Sequence, residues 1–309
     1  MSFSWNLASD FQQMWAFPFM QHAFEAGTMV AVIAGVMGYF VVLRRSTFVA
    51  HAFSEIGFAG ASGAVYLVQA LSITWLTSTD AAAYGMLVGS SLGGTTIAML
   101  SRRSSHRDVY VGIVLAFALG IGLLFLSLYT GYATEAISLL FGEILAIAST
   151  DVLRTLLFTM IILGGIGLIY RPLLFSSLDE AVAEAKGLPT LLIGVVFLLL
   201  VAVAVSVAVQ VTGVLLIFSL MVTPAATAQH LASKPSRVIS ISVALALAVT
   251  WVGLFVSFYE PYPASFFITA MIFVVYILVR VFHRRIRTPS EHRRDWKDRV
   301  LESAKDYSS

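Results

Sequence analysis

Long apolar stretches recur along the whole chain, and they constrain its fold more than any other feature. One of them ends at Arg44 and Arg45, and others end at basic residues further along. A helix needs about 20 apolar residues to cross the hydrocarbon core of a bilayer. Of the 309 residues, 59% are hydrophobic and 12% are charged, whereas a soluble domain carries about 25% charged residues. The predicted fold class is therefore all-α, a polytopic transmembrane helical bundle.

The apolar stretches give eight to nine candidate spans and one shorter segment. The candidate spans are residues 19–43, 47–71, 81–101, 109–130, 152–170, 188–210, 213–232, 237–258 and 263–283. The shorter segment, 133–150, contains Glu135 and Glu143, and we expect a re-entrant or interfacial helix, which is tolerated where it packs on protein. Residues 1–287 are thus predicted to form a transmembrane domain, and the polar residues 288–309 a cytoplasmic tail.

Basic residues fall in alternate loops, which predicts the orientation of the chain. They lie at Arg44 and Arg45, at 101–107, at Arg171 and Lys186, at Lys234 and Arg237, and at 280–287. The intervening loops hold Asp80, Glu135 and Glu260. Loops rich in Lys and Arg stay in the cytoplasm, so we expect the N-terminus outside and the C-terminus inside. Arg154 lies on the wrong side for this rule, and we expect Asp151, three residues earlier, to offset its charge.

The second candidate span begins with two ionisable residues. The stretch "LRRSTFVAHAFSEIGFAGASGA", from Leu43 to Ala64, contains His51 and Glu55. Four residues of α-helix rise about 6 Å and make slightly more than one turn, so both side chains share a face. Imidazole and carboxylate together suit a first-row divalent cation such as Zn, Mn or Fe. The alternative is that both residues lie near the cytoplasmic end and face the lipid headgroups.

A second stretch, "LFSSLDEAVAEAKGLP" at 174–189, predicts a short helix in a cytoplasmic loop. Ser177 is its expected N-cap, with Glu180 as the capping-box partner, and Gly187 and Pro189 are expected to end it. Its acidic residues, Asp179, Glu180 and Glu184, lie towards the positive end of the helix dipole. Either this is an ordinary interfacial helix, or it is a docking element for another protein.

Three further features are weaker candidates. Pro224, in "QVTGVLLIFSLMVTPAATAQHL", is expected to kink or break a helix, either for packing or at a substrate path. His22 and Glu25 lie near the outer end of the first span, where they either face water or contribute to a metal site. Glu143 is open to three interpretations: a buried protonated acid, a pathway ligand or an interfacial residue.

Several classes of protein are excluded or disfavoured by what the sequence lacks. There is no cysteine, so neither disulfides nor thiolate metal sites can form. No phosphate-binding loop of the G-x-x-x-x-G-K-[ST] type is present, and the net charge of +2 is too small to indicate a nucleic-acid partner. Since little sequence lies outside the spans, we expect a transport protein that interacts with membrane lipid and not an enzyme.

Three stretches give this chain a family resemblance. They are "VVLRRSTFVAHAFSEIGFAGASGA", "LLFGEILAIASTDV", and "SLDEAVAEAKGLP" through "VTGVLLIFSLMVTPAATAQHL". With these stretches the chain resembles the membrane-spanning permease subunits of the zinc/manganese/iron family of bacterial ABC importers, over most of residues 20–280.

The resemblance implies a bacterial inner-membrane permease that works as a homodimer. It further implies a cytoplasmic ATPase subunit that binds ATP, an extracytoplasmic metal-binding protein, and a transported divalent metal ion with no permanently bound cofactor. The loop at 178–188 matches the family's coupling helix, which assigns Asp179, Glu180, Glu184, Lys186 and Gly187 to the ATPase contact. The family's second span usually carries Asp, three residues, then His. Here the matching positions are His51 and Glu55, so the two chemistries are present in reverse order.

The sequence leaves two other transport functions as alternatives. A permease for a metal chelate, such as a siderophore or cobalamin, would have the same architecture but no need of a His/Glu pair. An ion-coupled secondary transporter would need no coupling helix, and it would show internal repeats with paired broken helices. The sequence indicates one such break, at Pro224.

Overall fold

In the computed structural model, residues 7–100, 107–128, 142, 144–260 and 262–286 are described, and their regular structure is entirely helical. The α-helices are α1 (Leu7–Trp15), α2 (Pro18–Leu43), α3 (Thr47–Ala70), α4 (Ser78–Leu100), α5 (Arg107–Ser127), α6 (Ser149–Leu178), α7 (Glu180–Ala185), α8 (Thr190–Thr212), α9 (Val214–Leu231), α10 (Pro235–Tyr259) and α11 (Ala264–Ile286). A 3₁₀ turn, Ile144–Ala146, precedes α6. The all-α prediction is confirmed for this part of the chain.

Seven helices of the described part are long and apolar enough to cross a membrane. They are α2, α6, α8, α9 and α10 over their full lengths, with Val109–Ser127 of α5 and Ala264–Phe282 of α11. The sequence predicted eight to nine spans, because it counted α3 and α4 as well. These two helices have 24 and 23 residues, so they are long enough. Within the described residues, however, neither contains an 18-residue stretch as apolar as those of the seven.

Two predictions fall mainly outside the described residues. Of the segment 133–150, the structure describes residue 142 and residues 144–150, where Ile144 is buried and the 3₁₀ turn packs against α2. The tail at 288–309 is outside the described part altogether. The re-entrant segment and the cytoplasmic tail therefore stay predictions.

Helix α2 is the most buried of the seven candidate spans and organises the larger part of the bundle. It packs against α6, α8, α9 and α10, and α11 joins through α9 and α10. Helix α3 packs mainly against α4 and α5, and this group meets the rest of the bundle through α8 and α9. The group that contains His51 and Glu55 therefore lies beside α8 and α9.

Close helix contacts in this bundle depend on glycines. A Cβ on Gly38 of α2 would overlap the backbone carbonyl oxygen of Met221 in α9. Gly60 of α3 and Gly85 of α4 face each other in the same way, each against the other's carbonyl oxygen. Small residues let membrane helices approach until their backbones touch, which maximises van der Waals contact where lipid supplies no hydrophobic driving force.

Of the two outcomes expected at Pro224, a kink or a break in the helix, the break is wrong. Helix α9 runs from Val214 to Leu231 with Pro224 inside it and buried. Unwinding there would leave backbone groups unsatisfied in an apolar environment, so neighbouring helices that pack against the proline favour the continuous form. The actual break in this region is Gly213, which joins α8 to α9 with a φ of 81°.

Helix α6 is longer than the sequence indicated. The predicted span ended at residue 170, but α6 continues through Pro172 to Leu178, a total of 30 residues. At 1.5 Å per residue this is about 45 Å, against about 30 Å for the hydrocarbon core of a bilayer. One end of α6 therefore extends beyond the apolar region and carries the short helix α7.

Candidate metal pathway and coupling surface

His51 and Glu55 lie in the first three turns of α3. A tight turn that includes Arg45, with a φ of 52°, and Ser46 joins α2 to this helix. Glu55 is buried, with 6% of its surface exposed, whereas His51 is partly buried. Their spacing of one helical turn gives both side chains the same face of α3, as the sequence predicted.

Both side chains have a buried polar atom with no hydrogen-bond partner among the described residues. These atoms are Nδ1 of His51 and Oε2 of Glu55. A buried polar group normally has a partner, because removing it from water without one costs free energy. An imidazole nitrogen and a carboxylate oxygen that are both left open on one helix face can coordinate a divalent cation.

The aromatic ring of Phe218, on α9, packs against His51. The two ring centroids are 5.0 Å apart, and the ring planes are tilted by 54°. The hydroxyl of Ser54 donates a hydrogen bond to the His51 backbone carbonyl at 2.6 Å, which adds to the local order of α3. Sequence reasoning missed Phe218, because one phenylalanine in an apolar span carries no signal that separates it from packing residues.

The other candidate ligands do not join this pair. The described residues contain no group of three or more His, Cys, Asp or Glu side chains that could hold a metal. His22 and Glu25 lie on α2, where His22 is partly buried and Glu25 is exposed. Glu143 lies outside the described residues. His51 and Glu55 on one helix face would supply two ligands, fewer than the four to six that a zinc, manganese or iron ion usually takes.

A short helix, α7, is present within the segment 174–189 as predicted, but its N-cap was wrongly predicted. Asp179 is the N-cap, and its Oδ1 accepts a hydrogen bond from the Val182 amide at 3.0 Å. Ser177 belongs to the last turn of α6, where its hydroxyl donates to the Leu173 carbonyl. The cap is displaced because α6 continues through Pro172 and includes the serine in its own hydrogen bonds.

The predicted end of this helix at Gly187 is confirmed. Gly187 has a φ of 79°, its amide donates to the Glu184 carbonyl at 2.8 Å, and the Leu188 amide donates to the Ala183 carbonyl at 3.1 Å. These two hydrogen bonds form a Schellman motif, in which the residue after the C-cap has a left-handed backbone conformation that favours glycine.

Two side-chain contacts hold α7 against its neighbours. The Thr190 hydroxyl, at the start of α8, donates to Oε1 of Glu184 at 2.7 Å. The Lys186 ammonium lies 5.3 Å from the centre of the Phe175 ring, in the last turns of α6. Ala183 is completely buried, whereas Leu178 and Val182 are exposed. Helix α7 is therefore fixed on one side and presents acidic and apolar side chains on the other.

An ion pair connects the first turns of α4 and α6. Nη1 of Arg154 lies 2.5 Å from Oδ1 of Asp80 and 3.8 Å from Oδ1 of Asp151. The Thr77 hydroxyl also donates to Asp80, at 2.8 Å. The predicted proximity of Asp151 to Arg154 is confirmed, but the closer partner is Asp80. Arg154 therefore lies at the same end of the bundle as Asp80, which the loop pattern assigns to the side of the membrane opposite the basic loops.

These features together define a polytopic membrane permease: a multi-pass helical bundle with an ionisable pair inside it and an ordered helix between α6 and α8. Residues 16–283 match the model of the ABC 3 transport family, so the chain belongs to that family. It is a permease component of an ABC transporter and not itself an enzyme.

Relatives and a solved structure agree with this assignment. The chain is 29% identical over 230 residues to the manganese transport system membrane protein MntC of Halalkalibacterium halodurans, covering 74% of this chain and 75% of MntC. It is 28% identical over 275 residues to the manganese import system permease protein ScaB of Streptococcus gordonii, covering 88% and 95%. The fold resembles PsaBC from Streptococcus pneumoniae, solved in complex with Fab, with a TM-score of 0.75, 25% identity, and 88% and 95% coverage.

Proposed function

We propose that this chain is the permease subunit of an ATP-driven importer for a divalent first-row metal ion, with manganese as the first candidate among Mn, Zn and Fe. The observation that carries the proposal is the pair of unpartnered buried atoms, Nδ1 of His51 and Oε2 of Glu55, on one face of α3. Carboxylate and imidazole ligands suit Mn²⁺, and the relatives MntC and ScaB are named for manganese.

The transport site is proposed to form from two copies of the chain. His51 and Glu55 from each copy would supply up to four nitrogen and oxygen ligands, which replace part of the hydration shell of the passing ion. Such a site need not hold the ion tightly, because a conducted ion must also leave. The absence of a third ligand beside the pair in the described residues of one chain supports this arrangement.

Helix α7 is proposed to be the coupling helix that docks on a cytoplasmic ABC ATPase, through Asp179, Glu180, Glu184, Lys186 and Gly187. Its fixed inner side and its exposed Leu178 and Val182 support this role. A metal-binding protein on the opposite side of the membrane would deliver the ion to the permease.

The proposed topology has nine spans, because α3 and α4 cross the membrane together with the seven more apolar helices. Both are long enough, and α4 packs along α8, which is itself a candidate span. With the N-terminus outside, α7 and the C-terminus are then cytoplasmic, in agreement with the positions of the basic loops.

Uptake by proteoliposomes tests the proposed function. The purified chain would be reconstituted alone or with its partner ABC ATPase, the metal-binding protein would be supplied on the uptake side, and ⁵⁴Mn²⁺ uptake would be measured with and without ATP. We expect uptake only when ATPase and ATP are both present. Uptake by the chain alone would indicate a secondary transporter, and uptake of ferric siderophore or cobalamin without Mn²⁺ uptake would indicate a chelate permease. Either result contradicts the proposal.

A further inference from the structure

Arg44, at the end of α2, connects three helix ends of the bundle. Its guanidinium carbon lies 5.4 Å from the centre of the Phe197 ring on α8. Its Nη1 donates long hydrogen bonds to the hydroxyls of Ser176 and Ser177 on α6, at 3.4 Å and 3.5 Å. Arg44 is partly buried, whereas the adjacent Arg45 is exposed. A cytoplasmic charge for orientation is already available in Arg45, so the inward position of Arg44 calls for a different explanation.

The helix ends that Arg44 contacts are those that hold α7. Helix α6 leads into α7 at Leu178, and α8 begins at Thr190. The Lys186 contact with Phe175 and the Thr190 hydrogen bond to Glu184 attach α7 to these same two ends. A force on α7 therefore reaches the α6 segment around Ser176 and the first turns of α8 before it reaches other parts of the bundle.

Arg44 is also joined rigidly to the start of α3. Its own amide donates to the Phe40 carbonyl at 2.9 Å, and the Ser46 amide donates to the Val41 carbonyl at 2.9 Å. The Ser46 hydroxyl donates to the Arg44 carbonyl at 3.2 Å, and the Ala50 amide donates to the Ser46 carbonyl at 3.1 Å. This short, hydrogen-bonded turn leads directly to His51, so a displacement of Arg44 moves the beginning of the helix that carries the metal pair.

We infer that Arg44 is a positioning residue that couples movement of α7 to the His51–Glu55 pair. The guanidinium holds the ends of α6 and α8 against the α2–α3 turn, so that a shift of α7 on the ATPase changes the position of α3. Arginine suits this role because its planar, permanently charged group stacks on a ring and donates hydrogen bonds in several directions. The inference rests on the proposed function, since it assumes that α7 docks on an ATPase and that α3 lines the metal path.

The test measures the number of Mn²⁺ ions transported per ATP hydrolysed in proteoliposomes that contain the chain and its ATPase, with the metal-binding protein supplied on the uptake side. Arg44→Met removes the charge and the hydrogen bonds but keeps an apolar side chain against Phe197. Allosteric couplings typically correspond to factors of about 5 to 150, so we expect this ratio to fall at least about fivefold. ATP hydrolysis should fall much less than the ratio does, since removing the link leaves the ATPase itself intact. Arg45→Met, with the same change at the exposed neighbour, should keep the wild-type ratio.

Arg44→Lys keeps the positive charge, and it is the variant to measure if Arg44→Met fails to assemble with the ATPase. Because lysine does not replace arginine at a stacked site, the transport ratio should fall here too. The inference is overturned if the ratio is unchanged in an assembled Arg44 variant, which includes the case in which uptake and ATP hydrolysis fall in equal proportion. If the wild-type complex itself transports no Mn²⁺, the proposed function fails, which this design separates from a failure of the role of Arg44.

Discussion

The imidazole of His51 on α3 and the phenyl ring of Phe218 on α9 are in direct contact, with their centroids 5.0 Å apart. The contact joins the α3–α5 group to the rest of the bundle at the position of the metal pair. One face of the imidazole is thus covered by an aromatic side chain, and this restricts the directions in which the ring can turn.

The first prediction concerns this contact. Phe218→Ala should raise the Mn²⁺ concentration needed for half-maximal uptake, because the imidazole loses the group that restricts its orientation. Phe218→Tyr, which keeps the ring, should stay close to wild type. Uptake at a series of Mn²⁺ concentrations, corrected for the amount of protein in the membrane, checks this. Equal half-maximal concentrations in the alanine variant and the wild type would show that Phe218 does not position His51.

The second prediction concerns α7. Ala183→Pro should abolish ATP-driven uptake and co-purification with the ATPase, because the Ala183 amide donates to the Asp179 carbonyl at 3.1 Å and the side chain is completely buried. Proline in a helix interior costs about 3 kcal/mol, enough to unfold an element of this length. Ala181→Pro makes the same substitution in the first turn, where proline is tolerated, and should be milder. Normal ATPase binding by Ala183→Pro would exclude α7 as the coupling element.

The third prediction concerns topology. Because the chain has no native cysteine, single cysteines can be introduced at the exposed positions Val182 and Tyr262 and labelled in intact cells with a membrane-impermeant thiol reagent. The basic loops predict labelling at 262 and not at 182. Ser149, at the start of α6, should label from outside as well, as should Thr134 if the segment 133–150 is re-entrant. Strong outside labelling at 182 would invert the topology and remove the ATPase contact.

The fourth prediction concerns the close contact of α2 with α9. Gly38→Ala should lower the melting temperature of the purified protein in detergent, because its Cβ would overlap the Met221 carbonyl oxygen and overpacking of this kind costs about 1–3 kcal/mol. Gly164→Ala, in α6, is the matched control, since no atom lies within 4 Å of its added Cβ. This control should be neutral or slightly stabilising, because alanine favours a helix over glycine by about 1 kcal/mol. If both variants had the same melting temperature, the close contact between Gly38 and Met221 would be contradicted.

Much of the fold could be predicted from the sequence, because about 20 apolar residues between basic loops have few structural solutions in a membrane. The positions of the prolines, however, did not predict where the helices end. Pro172 and Pro224 both lie inside continuous helices, since the bilayer penalises exposed backbone more than it penalises one missing hydrogen bond. Because α6 continues through Pro172 to Leu178 for the same reason, the N-cap of α7 is Asp179 and not Ser177.

The candidate site could be predicted in part. The spacing of His51 and Glu55 places them on one helix face, which sequence alone determines. Phe218 and the Asp80–Arg154 ion pair could not be found in this way. The ion pair joins residues 74 positions apart, and such a contact depends on how α4 and α6 are arranged in the bundle, not on any local pattern.

The central claim is that His51 and Glu55 conduct the metal ion, and Mn²⁺ uptake by alanine variants tests it most directly. His51→Ala, Glu55→Ala and the wild type would be produced in cells that lack their own importers, with Zn²⁺ and Fe²⁺ measured in parallel. In a two-fold site each substitution removes two ligands, so we expect uptake of the transported metal to fall at least about tenfold, the effect of about 1.4 kcal/mol, at normal membrane levels of protein. Wild-type uptake by both variants would contradict the account.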